Sequence, residues 1–188
     1  MKYELWYSVV VRDRQGKVVS RERRRSRSFL KQWNQLVYIQ MAQTALNITD
    51  TGGTPRSISP HNYNFWIKGA AGETDYGIRV GTGDTAVAID DYALETPIEE
   101  GTGADQMEHL FSTVSQPTVA APSCSFLVSR AIVNNSGAEI TVREAGIYMW
   151  LKNIATYFGC ATHDVFVTPQ AVPDGGTITV DWTIQVTV

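Results

Sequence analysis

At 188 residues the chain is long enough for one domain with a full core plus a smaller appendage. Its 43% hydrophobic and 19% charged residues exclude a disordered chain, and no apolar run approaches the roughly 20 residues of a membrane helix. Two cysteines, Cys124 and Cys160, exclude a disulfide framework and read as small hydrophobes in strands. The start, Met-Lys-Tyr-Glu-Leu-Trp, lacks a basic-then-apolar leader, so a soluble protein made in the cytosol is expected.

Net charge is −3, but it is segregated. Nine basic residues lie between Arg12 and Lys31 against only Asp13 and Glu22; that stretch carries +7 and the rest of the chain −10. No Lys or Arg occurs between Arg79 and Arg130, where Asp84, Asp90, Asp91, Glu95, Glu99, Glu100, Asp105 and Glu108 fall. Opposite charge poles on one chain suit head-to-tail binding of copies.

In chain order, Leu5 to Arg12 is β-branched and aromatic and predicts a strand; Asp13 to Gly16 turns, and Lys17 to Arg21 returns as a hairpin. The basic run Arg21-Glu-Arg-Arg-Arg-Ser-Arg27-Ser either continues the strand or forms an arm. A helix capped by Ser26 or Ser28 is predicted next, with Phe29, Leu30, Trp33, Leu36, Val37 and Met41 on one face and Lys31, Gln32 and Gln35 opposite. Ile39 and Gln40 break this pattern, so the helix needs more than one packing partner, within its domain or between subunits. Asn47 to Asn64 reads as a long loop, and Phe65 to Lys68 as a short strand.

From Tyr76 onward β patterns dominate. Strands are predicted at Gly77–Gly81, Ser125–Val133, Glu139–Arg143, Gly146–Trp150, Tyr157–Val167 and Thr177–Val186, with Asn134 to Gly137 as a hairpin loop. In the last strand Ile178, Val180, Trp182, Ile184 and Val186 alternate with polar residues, giving one dry face and one wet face. The acidic segment Thr82 to Glu108 reads as a contact loop, with its acids outward and Val87, Ile89, Tyr92, Leu94 and Ile98 anchoring it to a sheet.

Chemistry-bearing patterns are sparse. His61, His109 and His163 sit in no catalytic motif. Cys160-Ala-Thr-His163 has zinc-ligand spacing, but residues three apart on a regular strand point to opposite faces. Gly81-Thr-Gly-Asp-Thr85 lacks the Lys-Ser/Thr of a phosphate loop, and Asp84, Asp90 and Asp91 miss the EF-hand spacing. No enzyme, cofactor or metal is expected. The arginine run suits a protein partner or a solvated face better than nucleic acid, since the overall pI is 5.6.

Three segments carry a resemblance: Gly16 to Phe29 running into an apolar helix; Gly77-Ile-Arg-Val-Gly-Thr-Gly-Asp-Thr-Ala-Val-Ala-Ile-Asp-Asp-Tyr-Ala-Leu-Glu-Thr-Pro-Ile98; and Ser125 to Tyr148 with the strand after Pro173-Asp-Gly-Gly176. Together they resemble virion structural proteins of tailed bacteriophages. That resemblance implies a particle component located in the virion after synthesis in the host cytoplasm. Its partners would be copies of itself and other virion proteins such as the major capsid protein, without nucleic acid or membrane. Capsid decoration is the first expectation, a neck or tail component the next. The alternative is a carbohydrate- or cell-surface-binding module using Tyr63, Trp66 and Tyr76.

The expected fold is mainly β: an immunoglobulin-like or jelly-roll-like sandwich over residues 49–188, preceded by a hairpin, basic arm and one helix over 1–48. The expected partner-binding residues are Arg21, Arg23, Arg24, Arg25, Arg27, Trp33 and Leu36, with Asp90, Asp91, Glu95, Glu99 and Glu100 as the acidic counterpart.

Overall fold

The computed structural model describes residues 2–26 and 28–188. It is mainly β and sandwich-like, with one helix. In chain order the elements are β1 (Lys2–Arg12), β2 (Val18–Ser26), α1 (Lys31–Ala42), β3 (Leu46–Thr49), β4 (Pro55–Ile58), β5 (Gly77–Gly81), β6 (Glu99–Glu100) and β7 (Gln106–His109). Then follow β8 (Thr113–Val114), β9 (Thr118–Ala120), β10 (Ser123–Val133), β11 (Ile140–Lys152), β12 (Thr156–Val172) and β13 (Thr177–Thr187). The larger sheet runs β2-β1-β13-β10-β7-β6, with β8 and β9 also on β10; the facing sheet runs β12-β11-β5.

Period-2 patterning builds the core. On β1, Leu5, Tyr7, Val9 and Val11 point inward, directly opposite Ile184, Trp182, Val180 and Ile178 of β13. All eight are buried, each contributing about 1.5–3 kcal/mol for an aliphatic side chain removed from water. They meet Val142, Ala145, Ile147 and Met149 of β11 in one hydrophobic cluster. The N-terminal hairpin therefore shares its core with the C-terminal strand, and the 48/49 division falls inside β3.

Two seams join the sheets. Beyond β2 the chain crosses to β12: Leu30 N–H donates to Ala161 O at 3.0 Å, and His163 N–H donates to Ser28 O at 3.3 Å. On the other side Ile98 N–H donates to Val80 O of β5 at 2.9 Å, and the next two residues, as β6, pair with β7.

Several local expectations are corrected. The basic run is not a free arm. Arg21 to Arg25 are strand residues paired with β1, because alternation lets Glu22 and Ser26 point inward while Arg21, Arg23 and Arg25 take the outer face; Arg24 shares the parity of Glu22 and reaches solvent beside it. Neither Ser26 nor Ser28 caps the helix. Both hydroxyls donate to the buried Asp164 carboxylate, and Leu30 occupies the cap position with no side-chain bond. The helix buries Gln32, Leu36 and Ile39, while Met41 is 81% exposed. The wheel is rotated because two glutamines on the packed side satisfy loops: Gln32 donates to Asp91 O, and Gln40 bonds both N–H and C=O of His61.

The 47–64 loop contains the β3–β4 hairpin, turned by Asp50, whose carboxylate accepts from Gly52 and Thr54 N–H and from Arg56. Residues 65–68 form no strand, and Phe65 is left-handed at φ 66°. The 134–137 segment is no hairpin. It passes between sheets, since β10 pairs with β13 while β11 pairs with β12 and β5, and the buried Asn134 side chain donates to Ala138 O and Val172 O.

Candidate partner-binding surface

The hairpin presents a basic ridge on a rigid support. Arg21, Arg23, Arg24 and Arg25 are exposed on β2, the end strand of the larger sheet. Arg23 lies over the Trp6 ring, 5.4 Å from its centroid; Arg25 meets Glu4 at 3.2 Å and Arg24 meets Glu22 at 3.6 Å. Arg21 has no acidic partner among the described residues. In both ion pairs the guanidinium side chain stays about half exposed, so these contacts leave the guanidinium groups available. Arg27 lies outside the described residues. Behind the ridge Glu22 is buried, accepting from Tyr7 Oη and from Thr168 N–H of β12.

The acidic counterpart faces outward in part: Asp84, Asp90, Glu95 and Glu99 are exposed, while Asp91 and Glu100 are half-buried. It lies against the sheets, with Leu94, Ile98 and Met107 buried, but its carboxylates have work inside the chain. Glu99 meets Arg79, Asp84 meets Arg143, and Glu100 accepts from His109 N–H at 2.8 Å. Glu95 accepts from Asp84 N–H, Thr85 N–H and Thr85 Oγ1, and these bonds hold its carboxyl below the usual range. Arg79 and Arg143 lie at or beyond the ends of the Lys- and Arg-free stretch, so the sequence gap conceals them. Asp90 is exposed and remains without a hydrogen-bond or ion-pair partner among the described residues.

Glu144, fully buried on β11, organises this segment. Its carboxylate accepts from the N–H groups of Gly83, Glu95 and Thr96 and from His163 Nε2 at 2.8 Å. Burial alone would raise its pKa; the hydrogen bonds outweigh that and hold it below the ordinary value. A Cβ at Gly81 or Gly83 would collide with this carboxylate, which accounts for glycine at both positions.

The two buried histidines are in opposite charge states by geometry. His163 has a carboxylate oxygen on each ring nitrogen, Asp91 Oδ2 on Nδ1 at 2.9 Å and Glu144 on Nε2. Both nitrogens must donate, so the ring is an imidazolium. His109 faces Glu100 through Nδ1 at 2.9 Å, while Nε2 is buried without a partner. A neutral ring leaves only a lone pair there, whereas an imidazolium would bury an unsatisfied N–H. Burial and the charges of Arg130 and Arg79 accordingly push the His109 pKa down to about 4. Its contact with Glu100 is therefore a hydrogen bond from a neutral ring.

Cys160 and His163 share a face of β12, contrary to regular alternation. Ile147 pairs with Thr162 and Tyr148 with Cys160, so Ala161 is an extra, bulged residue that resets the phase. Among the described residues no three His, Cys, Asp or Glu side chains are arranged to hold a metal ion.

Arg130 is fully enclosed. It donates to the carbonyls of Leu110, Ile78, Ala70 and Glu73, pinning the 69–76 turn with no carboxylate on the guanidinium; burial pushes its pKa down to about 10. At the other end of the larger sheet, Trp33 lines an apolar cleft of about 480 Å³ with Tyr3, Phe65, Trp66 and Phe126, and Lys68 as its one charged wall residue. Leu36 is fully buried one helical turn away, inside the chain's own core. Tyr63 and Trp66 are exposed beside the cleft, whereas Tyr76 packs against Trp150 and Phe158.

Sequence reasoning missed Glu144, His163, Arg130 and Asp164 as organising groups. The available signal was a charged residue leading into an apolar strand run, as in Ala-Ile-Val after Arg130 and Ala-Gly-Ile-Tyr after Arg143-Glu144. No match to the chain is found among protein-family models, curated proteins or solved structures.

Proposed function

We propose that this chain is a structural component of a tailed-phage particle, working by protein–protein contact: capsid decoration first, a neck or tail component second. The observation that carries this reading is the ridge of Arg21, Arg23 and Arg25 on an edge strand whose inner face is locked to the core through Glu22 and Tyr7. A charged array on a rigid support is suited to electrostatic docking, because little side-chain ordering beyond the arginines is needed on association. The buried polar groups described above satisfy loops and turns, which is architecture suited to assembly. The resemblance of the 16–29 and 77–98 segments to virion proteins points the same way.

The test is light scattering after size exclusion, at about 50 mM and 500 mM salt, where screening shortens the reach of exposed charges to a few ångströms. Larger species at low salt that dissociate at high salt, and that are lost when Arg21, Arg23 and Arg25 become Ser, are expected. A monomer at both salts, with no binding to the major capsid protein co-expressed from the same genome, overturns the proposal. The second reading, a glycan-binding module, draws on exposed Tyr63 and Trp66; the cleft beside them offers Lys68 and the Tyr3 hydroxyl as polar groups. Saturable binding of oligosaccharides lost in Trp66→Ala would favour it.

A further inference from the structure

We propose that His163 is a protonation latch: its imidazolium clamps residues 84–94 over Cys160, and loss of one proton as pH rises releases them. The inference does not depend on the assembly reading. It rests on one ring placed between two carboxylates of different mobility. Glu144 belongs to a central strand and is fully buried; Asp91 belongs to the covering segment and is partly exposed.

A neutral imidazole has one N–H. It stays on Nε2, because Glu144 has no solvent to turn to. The lone pair of Nδ1 then faces Asp91 Oδ2 at 2.9 Å, an acceptor against an acceptor. Asp91 is free to turn to water, and its bonds from Ala88 N–H and from the Gln32 amide to its carbonyl loosen with it. Glu144 still holds Gly83, Glu95 and Thr96, so movement is confined between those two anchors. What lifts is Leu94, whose N–H donates to Tyr148 Oη at 2.8 Å and whose side chain packs with Leu30, Tyr148 and Cys160.

The titratable groups around the ring are Asp91 and Glu95 from the covering segment, Glu144 and Tyr148 from β11, and Cys160 and Asp164 from β12. From the helix side the contacts with the covering segment are the neutral Gln32 amide and Lys31 N–H, which donates to Ile89 O at 3.1 Å; Arg79 lies beyond, 6.0 Å from the Tyr148 ring. Burial alone would lower the pKa of His163, but hydrogen bonds to Glu144 and Asp91 outweigh it and hold the ring above its ordinary 6.5. A raised folded pKa means that the clamp is complete below 6.5 and is lost as pH rises through the folded value.

Cys160 reports on the latch, being fully buried under the segment, while Cys124 is exposed and is removed as Cys124→Ser. Alkylation of Cys160 by iodoacetamide is followed from about pH 5 to pH 9, each rate divided by that of the urea-unfolded protein at the same pH so that thiolate content cancels. The corrected rate is expected to be low and flat at acid pH and to rise at least about tenfold through the titration of the ring. His163→Gln should react rapidly at every pH. Asp91→Asn should rise less steeply than the parent, because a carboxamide accepts from the charged ring and can turn to donate to the neutral one, giving up its bond from Ala88 N–H. A constant corrected rate in the parent protein, or an Asp91→Asn variant that rises as the parent does, overturns the latch. If His163→Gln does not fold, the Asp91→Asn comparison decides alone.

Discussion

Tyr7 donates its hydroxyl to Glu22 Oε1 at 2.6 Å, across the first hairpin and beneath the arginine ridge. Both side chains are buried, and Thr168 N–H reaches the second oxygen of Glu22 from β12. The bond sets which face of β2 looks inward. Tyr7→Phe leaves a buried carboxylate short of a donor and should cost about 1–3 kcal/mol. Urea denaturation monitored by tryptophan fluorescence gives the number; an unchanged midpoint would mean water replaces the hydroxyl.

Leu36→Ala should cost about 2–5 kcal/mol, the range for deleting a buried aliphatic side chain. Trp33→Ala should cost less, since the indole forms one wall of an open cleft and is only half-buried. Thermal unfolding of the two variants side by side checks the order. A larger loss at Trp33 would show that the cleft is filled in solution.

Arg130→Lys should be destabilising by roughly 3 kcal/mol despite conserving charge. One ammonium cannot reach four carbonyls that a planar fork meets from several sides. Amide hydrogen exchange should quicken first in the 69–76 turn. Equal protection there in the variant would refute the role assigned to the guanidinium.

Acid should destabilise the protein through His109. Its folded pKa, pushed down to about 4 by burial and by Arg130 and Arg79, lies below the ordinary 6.5. The stabilising contribution of the neutral ring is therefore complete above 6.5 and declines as pH falls towards 4, by roughly 3 kcal/mol over the window. A plot of urea midpoint against pH should be flatter over that interval in His109→Gln. Parallel curves would remove His109 from the acid response.

The alternating strands were legible because one-face burial imposes period 2: Ile178, Val180, Trp182 and Ile184 are buried as the pattern requires. The helix was legible as an element but not in its orientation, because Gln32 looks solvent-facing and Gln40 looks misplaced on the apolar side until loops supply their partners. The acidic segment was read as anchored by apolar residues, and Leu94 and Ile98 are. Its outward acids were legible, since Asp84, Asp90, Glu95 and Glu99 are exposed, but their partners within the chain were not, because Arg79, Arg143, His109 and His163 reach the carboxylates only through the fold. The face shared by Cys160 and His163 was hidden by a single extra residue, Ala161, which no periodicity argument detects.

The arginines along β2 also restrict symmetry. Two copies meeting edge to edge through this strand, related by a two-fold axis, would set guanidinium rows against each other at roughly the 4.8 Å spacing of neighbouring strands. Such a mirror pairing is self-limiting. A strand that completes the sheet at this edge must be unlike it, acidic where β2 is basic. Any self-assembly through this edge would therefore have to be head-to-tail, through a different surface of the next copy, and not a symmetric pair.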